Sequence, residues 1–311
     1  MRSGVTSAAF PGLPVIFAEG YRRGRVSMHG HISLALTSAD GSVRTETSVE
    51  EAGENVFLVN GLELGGLRGK GMLAVRDALL ERAGGGIRVK ISSTNCGLLS
   101  GSSDSGAAAL AVALDRFLGL NLSIDGLHEV ARSGSETAYR SLYGGLSEYY
   151  FLDGLPAARN LLPPSELGDL VVYAVPFDYL RHKADDLHLS VVKHPHYARR
   201  MADVESRIKE FKGALAEREL VRCLQLMEDD ARQVHKMFEE VGCRVLKGKM
   251  VELCGSVERW RAGGLTCFWN VAGASVVYVF TTKRESRVVS ERLAGYDAVE
   301  YKVAGHSKVI L

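Results

Sequence analysis

The stretch with the most chemical content is Gly97-Leu-Leu-Ser-Gly-Ser-Ser-Asp-Ser-Gly106, set between a strand-like segment and a helical one. Its glycines let backbone N–H groups approach a phosphate closely, and its clustered hydroxyls can donate further hydrogen bonds. A helix start directly after it adds partial positive charge, so an anion can be held there without a lysine. No Gly-Lys-Ser/Thr follows, which excludes a Walker A loop. The residues alone leave two readings open, a phosphate cradle and a Ser/Gly-rich surface loop.

The elements that must position this loop can be read from apolar spacing. Short strand-like stretches at 15–18, 31–36, 42–49 and 55–59 are separated by Gly, Ser, Asp and Asn, with a turn at Asn60-Gly61. Helical spacing over 69–83 ends at Gly84-Gly85-Gly86, and 87–92 returns to strand. An Ala- and Leu-rich helix is predicted over about 105–119. Ser123 is placed to cap another, with Asp125 in its first turn. A strand at 170–175 precedes two long amphipathic helices. Met201, Val204, Ile208, Phe211 and Leu215 share one face, and Leu220, Leu224, Met227, Ala231, Val234 and Phe238 share another. A third helix at 249–260 and strands at 266–281 and 298–303 complete an α+β chain of two lobes, with the boundary near 155–168, hence 1–160 and 161–311.

Composition narrows the function classes. The 311 residues are 46% hydrophobic and 24% charged, with formal net charge +1, so total charge points to neither a nucleic-acid nor a membrane partner. No apolar run reaches the roughly 18–20 residues that span a bilayer. Cys96, Cys223, Cys243, Cys254 and Cys267 form no CxxC pair, and no signal peptide precedes them. They read as buried thiols in a reducing compartment, the cytoplasm. His188, His194 and His196 fit no standard zinc spacing and read as solvent-facing on the link between lobes.

The loop followed by Ala107-Ala-Ala-Leu110 resembles the second motif of the GHMP kinases, and Ser133-Gly-Ser-Glu-Thr-Ala-Tyr-Arg-Ser-Leu-Tyr-Gly-Gly145 resembles the Arg-Ser-Leu-Tyr-Gly-Gly signature of the mevalonate diphosphate decarboxylases. The resemblance implies a two-lobed GHMP fold, with a ribosomal-S5-like N-terminal lobe and an α/β sandwich C-terminal lobe. It implies ATP and Mg²⁺ as cofactors, a small-molecule substrate (mevalonate or a phosphorylated mevalonate), and a homodimer. Gly97, Ser100, Gly101, Ser102, Ser103, Asp104, Ser105 and Gly106 would hold the nucleotide. Asp104 would hold Mg²⁺ directly or through water, as a hard oxygen ligand, or cap the helix beginning near Ser105.

Departures from the decarboxylase pattern carry the finer expectation. That family's Lys–Asp–Arg set leaves only Arg140 here, whose planar fork suits the substrate carboxylate, with Ser141 beside it. Counting from Pro11 puts Ala18 at the lysine position, with Glu19, Arg22 and Arg23 nearby. Aligning Ala272-Gly273 puts Val271 at the aspartate position, unless the register shifts by one and Asn270 fills it. Valine can neither take a proton nor hold a cation. Glu136, four residues before Arg140, makes the segment similar to the archaeal mevalonate 3-kinases, where the glutamate faces the C5 hydroxyl. A carboxylate accepts a hydrogen bond from an alcohol and repels a phosphate. Phe177-Asp-Tyr-Leu-Arg181 shares the same likeness, making Arg181 and Lys183 further phosphate-binding candidates. The expected activity is phosphorylation of the mevalonate 3-hydroxyl without decarboxylation. The alternatives are decarboxylation of mevalonate 3,5-bisphosphate or phosphomevalonate, and a metabolite-binding paralogue without turnover.

Overall fold

In the computed structural model the described residues are 3–22, 26–180, 182–272 and 275–311. A six-stranded sheet forms most of the first lobe. Its strands run in the order Lys308–Val309, Val5–Ala9, Arg44–Glu51, Val89–Cys96, Val56–Val59 and Leu62–Glu63. All of its pairings are antiparallel except that of Val56–Val59 with Val89–Cys96. Parallel neighbours need a crossover, and helix Gly66–Arg82 supplies it.

Helices Gly66–Arg82, Ser102–Leu118 and Ile124–Ala131 cover this sheet, burying Val49, Ile91, Val75, Leu79, Leu110, Leu114 and Val130 in one core. The alanine-rich face of Ser102–Leu118 lets that helix lie close to the strands. Ser7 Oγ donates to the Ala109 carbonyl at 2.6 Å, and Thr45 and Ser105 hydroxyls meet at 2.7 Å. Ser123 caps Ile124–Ala131 as its residue type predicts, its hydroxyl accepting from Gly126 N–H.

The second sheet joins both halves of the chain. Its order is Leu155–Leu162, Leu146–Leu152, His31–Ser38, Val299–Val303, Leu170–Pro176, Val276–Thr282 and Cys267–Ala272, with Gly12–Ile16 also paired to His31–Ser38. Its central strands are covered on both sides, so alternate residues enter different cores. Val172, Tyr278 and Phe280 meet Phe211, Leu224 and Met227, while Val171, Tyr173, Val277 and Val279 meet Val234, Leu253 and Val257. The two long helices are Tyr197–Ala216 and Leu220–Glu240, near the expected bounds. Because Val299–Val303 pairs with His31–Ser38 and Lys308–Val309 pairs with Val5–Ala9, the chain returns to its first half after building the second. All five cysteines are free. Three are buried, whereas Cys96 and Cys243 are half-buried, a correction to the expectation that all were interior. No helix among the described residues is long and apolar enough to cross a membrane.

Candidate active site

Between the lobes lies a cavity of about 600 Å³. One wall is the start of helix Ser102–Leu118. It begins three residues earlier than predicted, and Gly101 before it takes φ +72°, the left-handed region. A Cβ at Gly101 would lie 3.0 Å from both Gly12 N and Pro11 Cβ, so contact and conformation both demand glycine. No side chain caps this helix. The first N–H groups of a helix have no partner within it, and Ser102, Ser103 and Asp104 all line the cavity. The geometry is that of an anion cradle with Ser100 and Gly106 on its margin.

Not every residue of the loop faces inward. Ser105 is fully buried against the sheet, its hydroxyl at Thr45 and at the Gly101 carbonyl, and Gly97 does not reach the cavity. Both depart from the expected nucleotide contacts. Helical geometry explains Ser105, because the side chain one position past Asp104 points about 100° away.

Asp104 is not a helix cap. Its Oδ1 accepts from the hydroxyls of Ser135 (2.7 Å) and Thr137 (2.6 Å), and its Oδ2 lies 3.3 Å from Arg140 Nη1. Both charged groups are buried. Burial opposes the charge on Arg140 most strongly, but Asp104, Tyr139 and Tyr21 together outweigh it, so the guanidinium is held above its ordinary value. Arg140 Nε is buried without a partner. Arg140 runs alongside Gly12, where any Cβ would fall 2.5 Å from Arg140 Cδ.

Glu136 is 6% exposed, neither the solvent-facing helix-end residue nor the surface charge its type suggests. Its Oε1 accepts from the Tyr149 hydroxyl at 2.5 Å and from Ser27 N–H at 3.3 Å. Tyr21 lines the same region and stacks on His188 with ring centroids 3.8 Å apart. Burial first, and Asp104 next, push the Tyr21 phenol above its ordinary value, so it remains a proton donor.

Ala18 and Val271 both line the cavity. Asn270 is turned away from it: its Nδ2 donates to the Pro14 carbonyl at 2.7 Å, and its Oδ1 accepts from Val271 N–H at 2.7 Å. The alternation of strand Cys267–Ala272 thus points valine, not asparagine, at the cavity. Behind Ala18, Glu19 turns into a buried network. Arg200 donates to Glu19, to Asp230 at 2.6 Å and to Gln233 at 2.7 Å, and Asp230 also accepts from Phe17 N–H at 2.8 Å. These charges fix the backbone of the wall without reaching the cavity.

Two further expectations change, for Ser141 and for the histidines. Ser141 does not line the cavity; its buried hydroxyl donates to the Phe10 carbonyl at 2.5 Å and its carbonyl accepts from Ser307. Arg181, like Arg23 and Gly273, lies outside the described residues, while Lys183 lines the cavity. His194 is buried against Glu240 at 2.7 Å, and half-buried His188 accepts from Gly20 N–H, so only His196 of the three is exposed. Sequence reasoning missed Tyr21, Ser135, Thr137 and Tyr149. The hydroxyls flanking Glu136 could have been found from their place in the same segment, but Tyr149 reaches it only through the sheet.

Among the described residues no cluster of three His, Cys, Asp or Glu side chains could hold a metal ion by itself. Asp104 with the neighbouring hydroxyls of Ser102 and Ser103 still suits Mg²⁺, which takes one or two carboxylates and completes its shell with phosphate and water.

Comparison with known proteins agrees with this geometry. Residues 18–151 match the diphosphomevalonate decarboxylase-like N-terminal domain, and residues 182–287 match the mevalonate-3-kinase C-terminal domain. A mevalonate-3-kinase of Picrophilus torridus is 28% identical, over 98% of this chain and 97% of its own length. A mevalonate 3-kinase of Thermoplasma acidophilum is 29% identical over 88% of this chain and 87% of its own. The crystal structure of the Thermoplasma acidophilum mevalonate-3-kinase with mevalonate 3-phosphate and ADP bound superposes with a TM-score of 0.90 at 26% identity, covering 100% of this chain and 99% of that one. With these two domain models matching successive parts of a two-lobed fold and the loop in its place in the first, the chain pairs a diphosphomevalonate decarboxylase-like N-terminal domain with a mevalonate-3-kinase-like C-terminal domain on a GHMP-type fold.

Proposed function

We propose that the protein transfers the γ-phosphate of ATP to the 3-hydroxyl of mevalonate and releases the 3-phosphate with its carboxylate intact. The observation that carries this reading is that the buried carboxylate of Glu136 lines the same cavity as an uncharged pair, Ala18 and Val271. Glu136 can accept a hydrogen bond from the C5 hydroxyl, and a 5-phosphate placed there would meet its charge. Arg140 lines the cavity and offers its guanidinium fork to the C1 carboxylate, while Asp104 keeps it from swinging away.

With both ends of the six-carbon acid fixed, the tertiary hydroxyl faces the helix start at Gly101–Asp104, where the N–H groups and serine hydroxyls receive the triphosphate. Mg²⁺, held by Asp104 and phosphate oxygens, would supply charge neutralisation there. Phosphoryl transfer through a loose transition state depends on positioning and electrostatics more than on a strong base, so the apolar Ala18–Val271 wall is compatible with transfer. The same wall leaves no group to protonate or hold the 3-oxygen during loss of carbon dioxide, which is why the reaction stops at the 3-phosphate. The cytoplasmic location and homodimer implied by the family belong to the same proposal, the second being read by light scattering.

The test is incubation with ATP and mevalonate, with phosphorus and carbon NMR of the product. ADP and a 3-phosphate that retains its carboxylate support the reading. Carbon dioxide from a bisphosphorylated substrate without ATP use would replace it with the decarboxylase, and no turnover of either would leave a binding protein.

A further inference from the structure

A carboxylate selects a neutral partner only if it stays ionised and stays aimed, and neither follows from burial alone, which favours the neutral acid. Tyr149 bears on both properties of Glu136 through one hydroxyl. Tyr149 sits on strand Leu146–Leu152, directly opposite His31 on His31–Ser38. The cross-strand register stacks its ring on the His31 imidazole at 4.6 Å between centroids and 16° between planes. Tyr139 lies tilted at 5.9 Å, and Phe151 and His128 meet the ring edge-on at 5.6 and 6.2 Å. With no exposed surface and four rings around it, the phenol is held in place, and its hydroxyl donates to Glu136 Oε1 at 2.5 Å.

We propose that Tyr149 is a positioning residue for substrate selection: its hydroxyl holds Glu136 as an oriented carboxylate, and so keeps the far end of the cavity selective for an uncharged alcohol over a phosphate. This rests on the reading of Glu136 given above and adds the group that makes it work. A donor to the charged form lowers a carboxyl pKa, and the Ser27 N–H at 3.3 Å adds a weaker one.

Several titratable groups lie around the pair among the described residues. His31 is held well below its ordinary value by burial first and Arg140 second, and burial brings His128 down to about 4, so both rings stay neutral near neutral pH. The Tyr139 hydroxyl donates to Ser33 at 2.7 Å, and burial pushes its phenol up to about 12. Tyr21 also stays protonated, Arg140 is paired with Asp104, and His29 lies against the carbonyls of Gly30 and Glu19.

Tyr149→Phe keeps the ring and its stack and removes only the hydroxyl. Loss of a hydrogen bond to the charged form is expected to favour the neutral acid at Glu136. The experiment measures kcat/KM for mevalonate and for mevalonate 5-phosphate, for wild type and Tyr149→Phe, between about pH 5.5 and pH 8, where a neutral acid would first become populated. The 5-phosphate itself takes up a proton at about pH 6 and shifts the preference of both proteins alike, so the readout is the difference between them. In the variant the preference for mevalonate should erode more steeply than in wild type as pH falls, because a protonated carboxyl can donate to a phosphate oxygen. A merely structural role would lower both substrates together with the wild-type pH trend. A wild-type preference that Tyr149→Phe leaves unchanged at every pH overturns the inference alone. A wild type with no preference overturns the reading of Glu136 and the inference with it. Should the variant not fold, carbon-13 glutamate NMR of the wild type, assigned with Glu136→Gln, decides the point. A titration midpoint below about pH 6 supports it, and a midpoint above that overturns it.

Discussion

Replacing Glu136 by glutamine keeps the size of the side chain and an amide oxygen for Tyr149, and removes only charge. Two unit charges about 4 Å apart interact by about 4 kcal/mol at an effective dielectric near 20. Arg140 lies in the same cavity and offsets part of this, leaving about 2–3 kcal/mol of repulsion against a 5-phosphate, or roughly 30- to 150-fold in selectivity. Mevalonate itself loses only the difference between a charged and a neutral acceptor, about 1 kcal/mol or fivefold in kcat/KM. The assay is initial-rate kinetics of ADP release with mevalonate and mevalonate 5-phosphate as acceptors, each supplied alone. The ratio of their kcat/KM values should shift toward the phosphate by at least about 30-fold. A ratio unchanged within about threefold, with the variant folded, would show that the charge at Glu136 does not select the substrate, and the electrostatic argument would fail.

Arg140→Ala leaves Asp104 buried without its cation, and should reduce kcat/KM for mevalonate by about 10²-fold or more, with a melting point several degrees lower; unaltered kinetics would remove Arg140 from the site. Gly101→Ala forces a side chain into the left-handed region and against Gly12, so it should cost about 1–2 kcal/mol of stability and weaken ATP binding, as read by denaturation and calorimetry. Buried His128 and His235 are both lowered to about 4 by burial, so they stay neutral in the fold but take up protons in the unfolded chain below about pH 6.5. Stability should therefore fall as pH drops from about 7 to about 5, by about 1–2 kcal/mol per histidine, and His235→Phe should flatten that slope in chemical denaturation.

Much of the frame was legible because apolar spacing is a local signal. The stripes of Tyr197–Ala216 and Leu220–Glu240 and the Ser123 cap are found where their residues predict. The hairpin Leu146–Leu162 was missed although Asp153-Gly154, both at positive φ, is the two-residue turn that such a hairpin uses. What sequence spacing cannot supply is contact between distant strands. Glu136 was singled out from its own segment, but Tyr149 reaches it because residue 149 falls opposite His31 in the sheet. Gly12 looks like any strand glycine until Arg140 is laid across it. Ser141 and Ser105 read as binding residues because a hydroxyl near a motif is ambiguous; only the direction of the side chain shows that they tie the helix and the chain end in place. Asn270 and Val271 are separated by the same logic, one pleat apart.

The central claim is that one acid faces the far alcohol of the substrate while the helix start receives the nucleotide. A crystal structure with mevalonate and a non-hydrolysable ATP analogue tests it in a single measurement. The account predicts the C5 hydroxyl within hydrogen-bond distance of Glu136, the C1 carboxylate on Arg140 and the 3-hydroxyl in line with the γ-phosphate at Gly101–Asp104. A carboxylate at the Glu136 end, or a nucleotide bound away from that helix start, would contradict it.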